Sequence, residues 1–86
     1  MREIDVTTKQ LSVEMIPSEE VQITSCNAIQ NCSNTYVLYS FEPFSATNLG
    51  ATLALGGLLT MPIGEATIYL KASSQPTHIE AFGVAL

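Results

Sequence analysis

The stretch that decides the fold is IYLKASSQPTHIEAFGVAL, residues 68–86. Its first part alternates, with Ile68 and Leu70 on one side of the chain and Lys71 on the other, and a period of two is typical of a half-buried β-strand. The polar residues 73–77 predict a turn. A second run then carries apolar side chains to the end of the sequence. The stretch therefore predicts two strands joined by a short turn.

The same period of two extends towards the amino terminus. Ile4 and Val6 occupy even positions, whereas the next run has its apolar residues at the odd positions of residues 11–15. Because a one-residue slip turns every side chain of a strand to the other face, residues 7–10 are expected to hold a turn or a bulge. Residues 1–17 are predicted to be either an N-terminal arm or a strand pair.

The middle of the chain combines strand and turn signals. Residues 20–26, EVQITSC, predict a strand, and the Asn-rich and Ser-rich residues 27–34 predict a loop. Residues 35–41, TYVLYSF, are apolar on both faces, which predicts a strand in a sandwich centre, in a closed barrel or at a subunit interface. Residues 52–61 predict a hairpin that turns at two adjacent glycines, and a short helix over residues 51–59 is the alternative.

Seven or eight short strands, with turn signals every 8–12 residues, predict an all-β fold, which is a small antiparallel β-sandwich or β-barrel. No repeat or linker is evident, so residues 1–86 are predicted to form a single β domain. A chain of this length buries only about 60% of the surface that its unfolded form exposes. The hydrophobic content of 47% therefore favours apolar surface that meets a partner over an unusually complete core.

The charge of the chain excludes several function classes. Three basic residues stand against eight acidic ones, for a net charge of −5, so the chain offers no basic patch for nucleic acid and an anionic membrane surface repels it. Residues 43–64 carry no charge, but Gly56, Gly57 and Pro62 interrupt their apolar part. That part is shorter than the roughly 20 residues of a membrane-spanning helix. We therefore predict no nucleic-acid partner, no membrane partner and no signal peptide.

The sequence contains no pattern of catalytic or metal-ligating residues. His78 and Glu80 share one face of a predicted strand, but no nucleophile or second carboxylate lies near them in sequence, so they are predicted to be a solvent-facing pair. Cys26 and Cys32 have a spacing that fits either a disulfide-closed loop or two free thiols. A zinc site lacks a second pair of ligands. We predict no cofactor, no metal and no enzymatic activity.

Residues 53–86, LALGGLLTMPIGEATIYLKASSQPTHIEAFGVAL, carry a resemblance to a known family. A strand that ends in glycines is followed by the IYLKASS strand, a short polar turn and the THIEAFGV strand. This order is similar to the C-terminal half of small all-β virion proteins of tailed bacteriophages, of the head-decoration (cement) or fibre-accessory type. The resemblance covers residues 50–86, and more loosely the chain from residue 21, and it is one of pattern without a diagnostic motif.

The resemblance implies a non-enzymatic structural virion protein, foremost a head-decoration protein that binds and stabilises the capsid after assembly in the host cytoplasm. A carbohydrate-binding or adhesin-type β module and a tail or fibre accessory protein are the alternatives. The implied partners are a major capsid or other virion protein and further copies of the chain. A trimer is favoured if the protein caps three-fold positions of a shell.

No functional residue carries over from that family, because it has no site motif to match. The first candidate contact is the last strand, which ends the sequence on apolar side chains with no polar residue to solvate it. The N-terminal strands are a second candidate, because an alternating strand can add to the sheet edge of another subunit. The candidate interface residues are Phe82, Val84, Leu86, Tyr69, Ile4 and Val6.

Overall fold

The computed structural model describes residues 1–84, and these residues form nine β-strands and no helix. Turns and short loops join the strands, as expected from the turn signals in the sequence. The strands are β1 (Arg2–Asp5), β2 (Gln10–Met15), β3 (Glu20–Thr24), β4 (Cys26–Asn31), β5 (Val37–Ser40), β6 (Ala51–Leu53), β7 (Leu58–Thr60), β8 (Ile68–Ala72) and β9 (Thr77–Gly83).

The strands of the described residues build two sheets. The five-stranded sheet has the order β1-β3-β8-β5-β6, and the four-stranded sheet has the order β2-β9-β4-β7. The strand pairs are antiparallel except for β1 and β3, which run parallel. The predicted all-β fold is confirmed, as a sandwich and not as a closed barrel. The described residues contain one strand more than the seven or eight that the sequence predicted. The additional strand is β4, which lies where the sequence predicted a loop.

The core lies between the two sheets and takes its side chains from alternate positions of the strands. In β8, Ile68 and Leu70 are fully buried, whereas Tyr69 and Lys71 are half-buried, so the predicted alternation of this strand is confirmed. Buried apolar area of this kind stabilises a fold by about 25 cal/mol per Å². The largest side chains in the core that are fully buried are Met15, Ile23, Ile29, Ile68, Leu70 and Ile79.

Most connections carry the chain from one sheet to the other. Between β1 and β2 the chain turns at residues 6–9, where Lys9 N donates to Val6 O at 2.9 Å and Thr8 has a φ of 57°. The turn predicted at residues 7–10 is therefore confirmed. Between β3 and β4 the change of sheet takes one residue, Ser25, with a φ of 58°. A positive φ is uncommon for residues other than glycine, so both positions hold locally strained backbone.

The hairpin predicted at residues 52–61 is wrong, because β6 and β7 lie in different sheets and do not pair. The turn itself is present: Gly57 N donates to Ala54 O, and Gly56 has a φ of 75°, which a type II turn requires at its third residue. Asn31, at the end of β4, decides where the chain goes. Its carbonyl accepts from Gly56 N at 2.8 Å and its N–H donates to Gly57 O at 2.9 Å. These bonds direct the chain into the four-stranded sheet.

The loop predicted at residues 27–34 is wrong over its first part, because residues 26–31 form β4 in the interior of the four-stranded sheet. Ile29 packs into the core and is fully buried, and so is Asn31. The Asn31 side chain donates from Nδ2 to Thr35 O at 2.8 Å and to Leu53 O at 3.0 Å. A buried amide is tolerated where its hydrogen bonds are made, so an Asn-rich composition did not exclude a strand here.

The strand predicted at residues 35–41 exists as β5, but its two faces differ. Val37 is fully buried and Tyr39 packs against the core, whereas Leu38 is only half-buried and points away from it. The burial that Leu38 has comes from the loop before β6, since Leu38 lines a shallow cavity with Phe44 and Leu49 of that loop. Leu38 therefore lies outside the core between the sheets, and its burial at a subunit interface stays a prediction.

Residues 1–17 pack into the sandwich as the edges of both sheets. β1 pairs with β3 and β2 pairs with β9, so the two strands do not pair with each other. The turn between them fits closely against Gly83 at the end of β9, where a Cβ atom would lie 1.5 Å from Val6 O. Gly83 N also donates to Lys9 O at 2.7 Å. Any side chain at position 83 would displace the β1–β2 turn.

Candidate interaction surface

The interface residues predicted from the sequence lie in different parts of the sandwich. Val6 is fully buried in the core and Ile4 packs against it. Tyr69, Phe82 and Val84 are half-buried. Leu86 lies outside the described residues. β9 lies between β2 and β4, so both of its backbone edges are already paired. The role of these residues in an interface stays a prediction, but β9 offers no free strand edge to a partner.

His78 and Glu80 do share the outer face of β9, as predicted. His78 Nε2 lies 3.6 Å from Glu80 Oε1, and the side chains are 41% and 22% exposed. Ser12 Oγ donates to Glu80 Oε1 at 2.5 Å. This hydrogen bond stabilises the charged form of the carboxylate and lowers the pKa of Glu80 below its ordinary value of 4.5. The pair lies on the surface, and residues 1–84 contain no cluster of three residues suited to hold a metal ion.

Both cysteines are free thiols. Cys26 is fully buried in the core, and its burial raises the pKa of the thiol above the ordinary value. Cys32 is exposed, just after β4. Of the two interpretations that the spacing left open, the structure therefore has the free thiols, and no disulfide contributes to the stability of this fold.

A cavity of about 690 Å³, lined by both polar and apolar residues, opens at one end of the sandwich. The turn between β2 and β3, the residues after β4 and the first residues of β9 line it. Arg2 donates to Glu14 O at 2.5 Å and lies 3.5 Å from Glu19 Oε1, so its charge is largely compensated. Within residues 1–84, the Thr77 hydroxyl and His78 Nε2 are buried atoms without a hydrogen-bond partner. The polar side chains of Ser33, Asn34 and Gln75 line the cavity.

A second cavity, of about 430 Å³, lies on the outer face of the five-stranded sheet. Phe44 forms part of its wall, and Lys71 Nζ lies 5.7 Å from the centre of that ring. The Asn48 amide donates to Ser40 Oγ at 2.9 Å and to Pro43 O at 3.0 Å. The N–H donors of the Asn48 amide hold residues 43–50 over β5, so they are not free to bind a ligand.

The aromatic residues do not form a common platform for stacking a sugar. Tyr39 and Phe41 pack against the core with their ring centres 6.0 Å apart in an edge-to-face arrangement. Tyr69 lies on the outer face of β8, and Tyr36 is exposed before β5. Tyr39 and Phe41 therefore contribute apolar surface to the core.

Exposed apolar side chains concentrate on one side of the sandwich. Seven large hydrophobic residues are exposed in the described part of the chain, and four of them belong to residues 49–63. This segment contains β6 and β7, which are the edge strands of the two sheets on the same side. The four residues are Leu49, Leu55, Leu58 and Ile63, with exposed fractions from 61% to 105%. We call residues 49–63 the uncharged side, since no charged residue occurs between positions 43 and 64.

The opposite side of the sandwich is protected by charge. Its edge strands are β1 and β2, which carry Arg2, Glu3, Asp5 and Glu14. Charged side chains on an edge strand oppose its pairing with another chain. The charged edge strands therefore oppose contact with another chain, whereas the edge strands of the uncharged side do not. The uncharged side is the candidate interaction surface.

Sequence reasoning noticed the uncharged segment but weighed it only as a membrane span. In residues 1–84 no helix is long and apolar enough to cross a bilayer. The signal for an interaction surface was present in the length of the uncharged run. It was missed because the predicted hairpin did not show where its strands lie in the sheets, and only the strand order places β6 and β7 at the edges.

We found no match to this chain among models of protein families, curated proteins or solved structures. The function is therefore inferred from the exposed surface and the charge distribution of the molecule itself.

Proposed function

We propose that this protein is a non-enzymatic structural component of a bacteriophage virion, acting as a head-decoration protein that binds and stabilises the capsid. The observation that carries the proposal is the uncharged side, with four large apolar residues exposed on it. Large apolar side chains exposed in one part of a protein mark sites of protein–protein contact. Leu55 and Leu58 belong to the turn between β6 and β7 and to β7, and Leu49 lies at the second cavity beside Glu20 and Lys71. The resemblance of residues 50–86 to small virion proteins supports a bacteriophage capsid as the partner of this surface.

A decoration protein does its work by contact alone. It stabilises a shell by binding neighbouring subunits, and many weak contacts made together give high avidity. A small rigid sandwich suits this role because little conformational freedom is lost when it docks. The uncharged side contributes apolar contact area, and the compact β fold holds that area in a fixed shape.

The distribution of charge supports contact through this one side. The chain carries a net charge of −5, and all eleven of its charged residues lie outside positions 43–64. Burying a charge without a partner is costly, whereas an uncharged surface enters an interface without that penalty. The acidic residues outside positions 43–64 keep the protein soluble before it assembles in the host cytoplasm. The partners are a major capsid protein and further copies of the chain.

A carbohydrate-binding or adhesin-type function is the second candidate, and the cavity at one end of the sandwich supports it. A volume of about 690 Å³ lies within the range of small-molecule sites, roughly 300–1,000 Å³. Ser33, Asn34 and Gln75 line the cavity, and their polar side chains can bond to a sugar hydroxyl. Binding on a glycan array that is lost in Asn34→Ala, with no binding to capsids, would establish this function in place of the first.

Co-sedimentation tests the decoration function. The reading frames next to this gene identify the capsid protein to use, and capsids assembled from it are mixed with the purified chain. We expect the wild type to sediment with capsids and Leu55→Glu to stay in the supernatant, because Leu55 is 64% exposed at the tip of the uncharged side. Ile16→Glu is the matched control, since Ile16 is 66% exposed but lies beside the charged edges.

Two results of this experiment would contradict the proposal. The first is a wild-type protein that remains in the supernatant at every capsid concentration. The second is equal binding of Leu55→Glu and the wild type, which would place the contact elsewhere on the molecule.

A further inference from the structure

We infer that β7 pairs edge to edge with β7 of a second copy around a two-fold axis, so that the four-stranded sheets of two copies become one continuous sheet. The inference rests on the proposed function, since it names a second copy as one partner of the uncharged side. It concerns the backbone of β7 and the side chain of Leu58. Leu55 and Leu49 are left for the contact with the capsid.

The hydrogen bonds of β7 show which of its backbone groups are free. Gly57 O accepts from Asn31 N at 2.9 Å, and Met61 N donates to Asn27 O at 2.9 Å. In an antiparallel ladder, alternate residues of a strand bond to the same neighbour. Positions 57, 59 and 61 therefore face β4, and the N–H and C=O groups of Leu58 and Thr60 point away from the sheet. These are the groups that a further strand would use.

The side chains of β7 do nothing to prevent such pairing. Natural edge strands are protected by charged residues, by proline, by a bulge or by being very short. β7 is short, at three residues, but it has no charge, no proline and no bulge: Leu58 is 61% exposed, Thr60 is exposed, and Leu59 packs against the core. Pairing would bury Leu58 and satisfy four backbone groups per copy.

The other three edges are less suited to pairing between copies. A two-fold contact at β1 would bring Glu3 and Asp5 of both copies together, and like charges on facing strands are destabilising. A contact at β2 would do the same with Glu14. β6 is uncharged, but its exposed side chains are Ala51 and Thr52, which bury little apolar area.

The net charge explains why a second copy fits at this side. Two copies that each carry −5 repel one another, and the repulsion is smallest when they meet where no charge lies. A two-fold contact is also self-complementary, because each β7 runs antiparallel to its partner. An edge strand has one free edge, so it pairs with one other copy, which favours a dimer over the trimer expected from the sequence. Salt screens the repulsion, so the dimer should strengthen as ionic strength rises.

Sedimentation velocity over a range from micromolar to millimolar protein tests the inference. We expect the wild type to shift from 9.2 kDa towards twice that mass, 18.4 kDa, as its concentration rises. The expected shift occurs at lower concentration in high salt. A wild type that stays at 9.2 kDa throughout, or that forms a trimer, overturns the pairing and leaves the decoration function to be judged by co-sedimentation.

Three variants locate the contact. Leu58→Lys and Ile16→Lys both change the net charge from −5 to −4, so general repulsion falls equally in both. We expect only Leu58→Lys to abolish the dimer, because it brings two lysines close together across the axis. Thr60→Pro removes the free N–H of an edge position, where proline is tolerated in a strand, and it should also abolish the dimer. Circular dichroism confirms that each variant remains folded.

Two outcomes with the variants overturn the inference. One is a dimer that persists in Thr60→Pro, which would show that side chains alone make the contact. The other is the loss of the dimer in Ile16→Lys but not in Leu58→Lys, which would place the contact at the charged edges.

Discussion

Asn31 shows how a single buried polar residue fixes the path of the chain. Its backbone binds the turn between β6 and β7, and its Nδ2 donates to the carbonyl groups of Thr35 and Leu53. Its Oδ1 accepts from Ser33 N at 3.0 Å. The residue therefore joins the end of β4 to the loop before β5 and to the end of β6.

Replacement of Asn31 by alanine should be strongly destabilising, because it removes the amide donor from the buried carbonyl group of Leu53 and leaves Thr35 O with the Ser33 hydroxyl at 3.2 Å. An unsatisfied buried group costs about 1–3 kcal/mol, so we expect Asn31→Ala to lower the free energy of unfolding by about 2 kcal/mol or more. Asn27→Ala is the control, since Asn27 is an exposed asparagine on the same strand, and it should change stability by under about 0.5 kcal/mol. Urea denaturation of both variants measures the difference. Equal losses would show that the Asn31 amide has no special role.

The bond between Ser12 and Glu80 makes stability depend on pH. Because the folded pKa of Glu80 is lowered from 4.5, the bond contributes stability above pH 4.5, and the contribution is lost as the pH falls through the lowered pKa. Ser12→Ala should therefore be less stable than the wild type at neutral pH, and the two should converge in acid. Urea denaturation at a series of pH values measures the gap. A gap that stays constant into acid would show that Glu80 is not the group responsible.

At the scale of the strands, the sequence predicted correctly the segments in which apolar and polar residues alternate. It predicted poorly the segments without that alternation. β8 and β9 follow a clean period of two, and the structure has both. The asparagines of β4 are typical turn residues and predict a loop, whereas in the fold the Asn31 amide is buried and donates to Thr35 O and Leu53 O. The composition of β5 predicts burial on both faces, and the loop at residues 43–50 covers Leu38 from outside. A pattern shows that a side chain is covered and not which part of the chain covers it.

These corrections predict the order of two core substitutions. Ile29→Ala should cost about 2–5 kcal/mol, the range for truncating a fully buried side chain. Leu38→Ala should cost about 1 kcal/mol, because Leu38 is half-buried outside the core and loses less contact. The free energies of unfolding in urea decide the order. A larger loss for Leu38→Ala would return β5 to the centre of the core and would contradict the arrangement of sheets described above.

At the scale of the whole molecule, charge divides the two sides of the sandwich. β1 and β2 present acids and Arg2, whereas β6 and β7 present uncharged backbone and leucines. The sequence contained both halves of this pattern, in its charged start and in its uncharged residues 43–64. It did not show that each half forms the edges of both sheets, because that follows from strand order, which depends on contacts between distant residues.

Hydrogen–deuterium exchange of capsid-bound protein tests the central claim, that the uncharged side makes the functional contact. Exchange is measured by mass spectrometry for the free protein and for the protein bound to capsids, with peptides that cover both sides of the sandwich. We predict slower exchange in residues 49–63 on binding, because the capsid covers the edge amides of β6 and of the turn that follows it, and unchanged exchange in residues 2–15 at the charged edges. Slower exchange confined to residues 2–15, with residues 49–63 unchanged, would contradict the account.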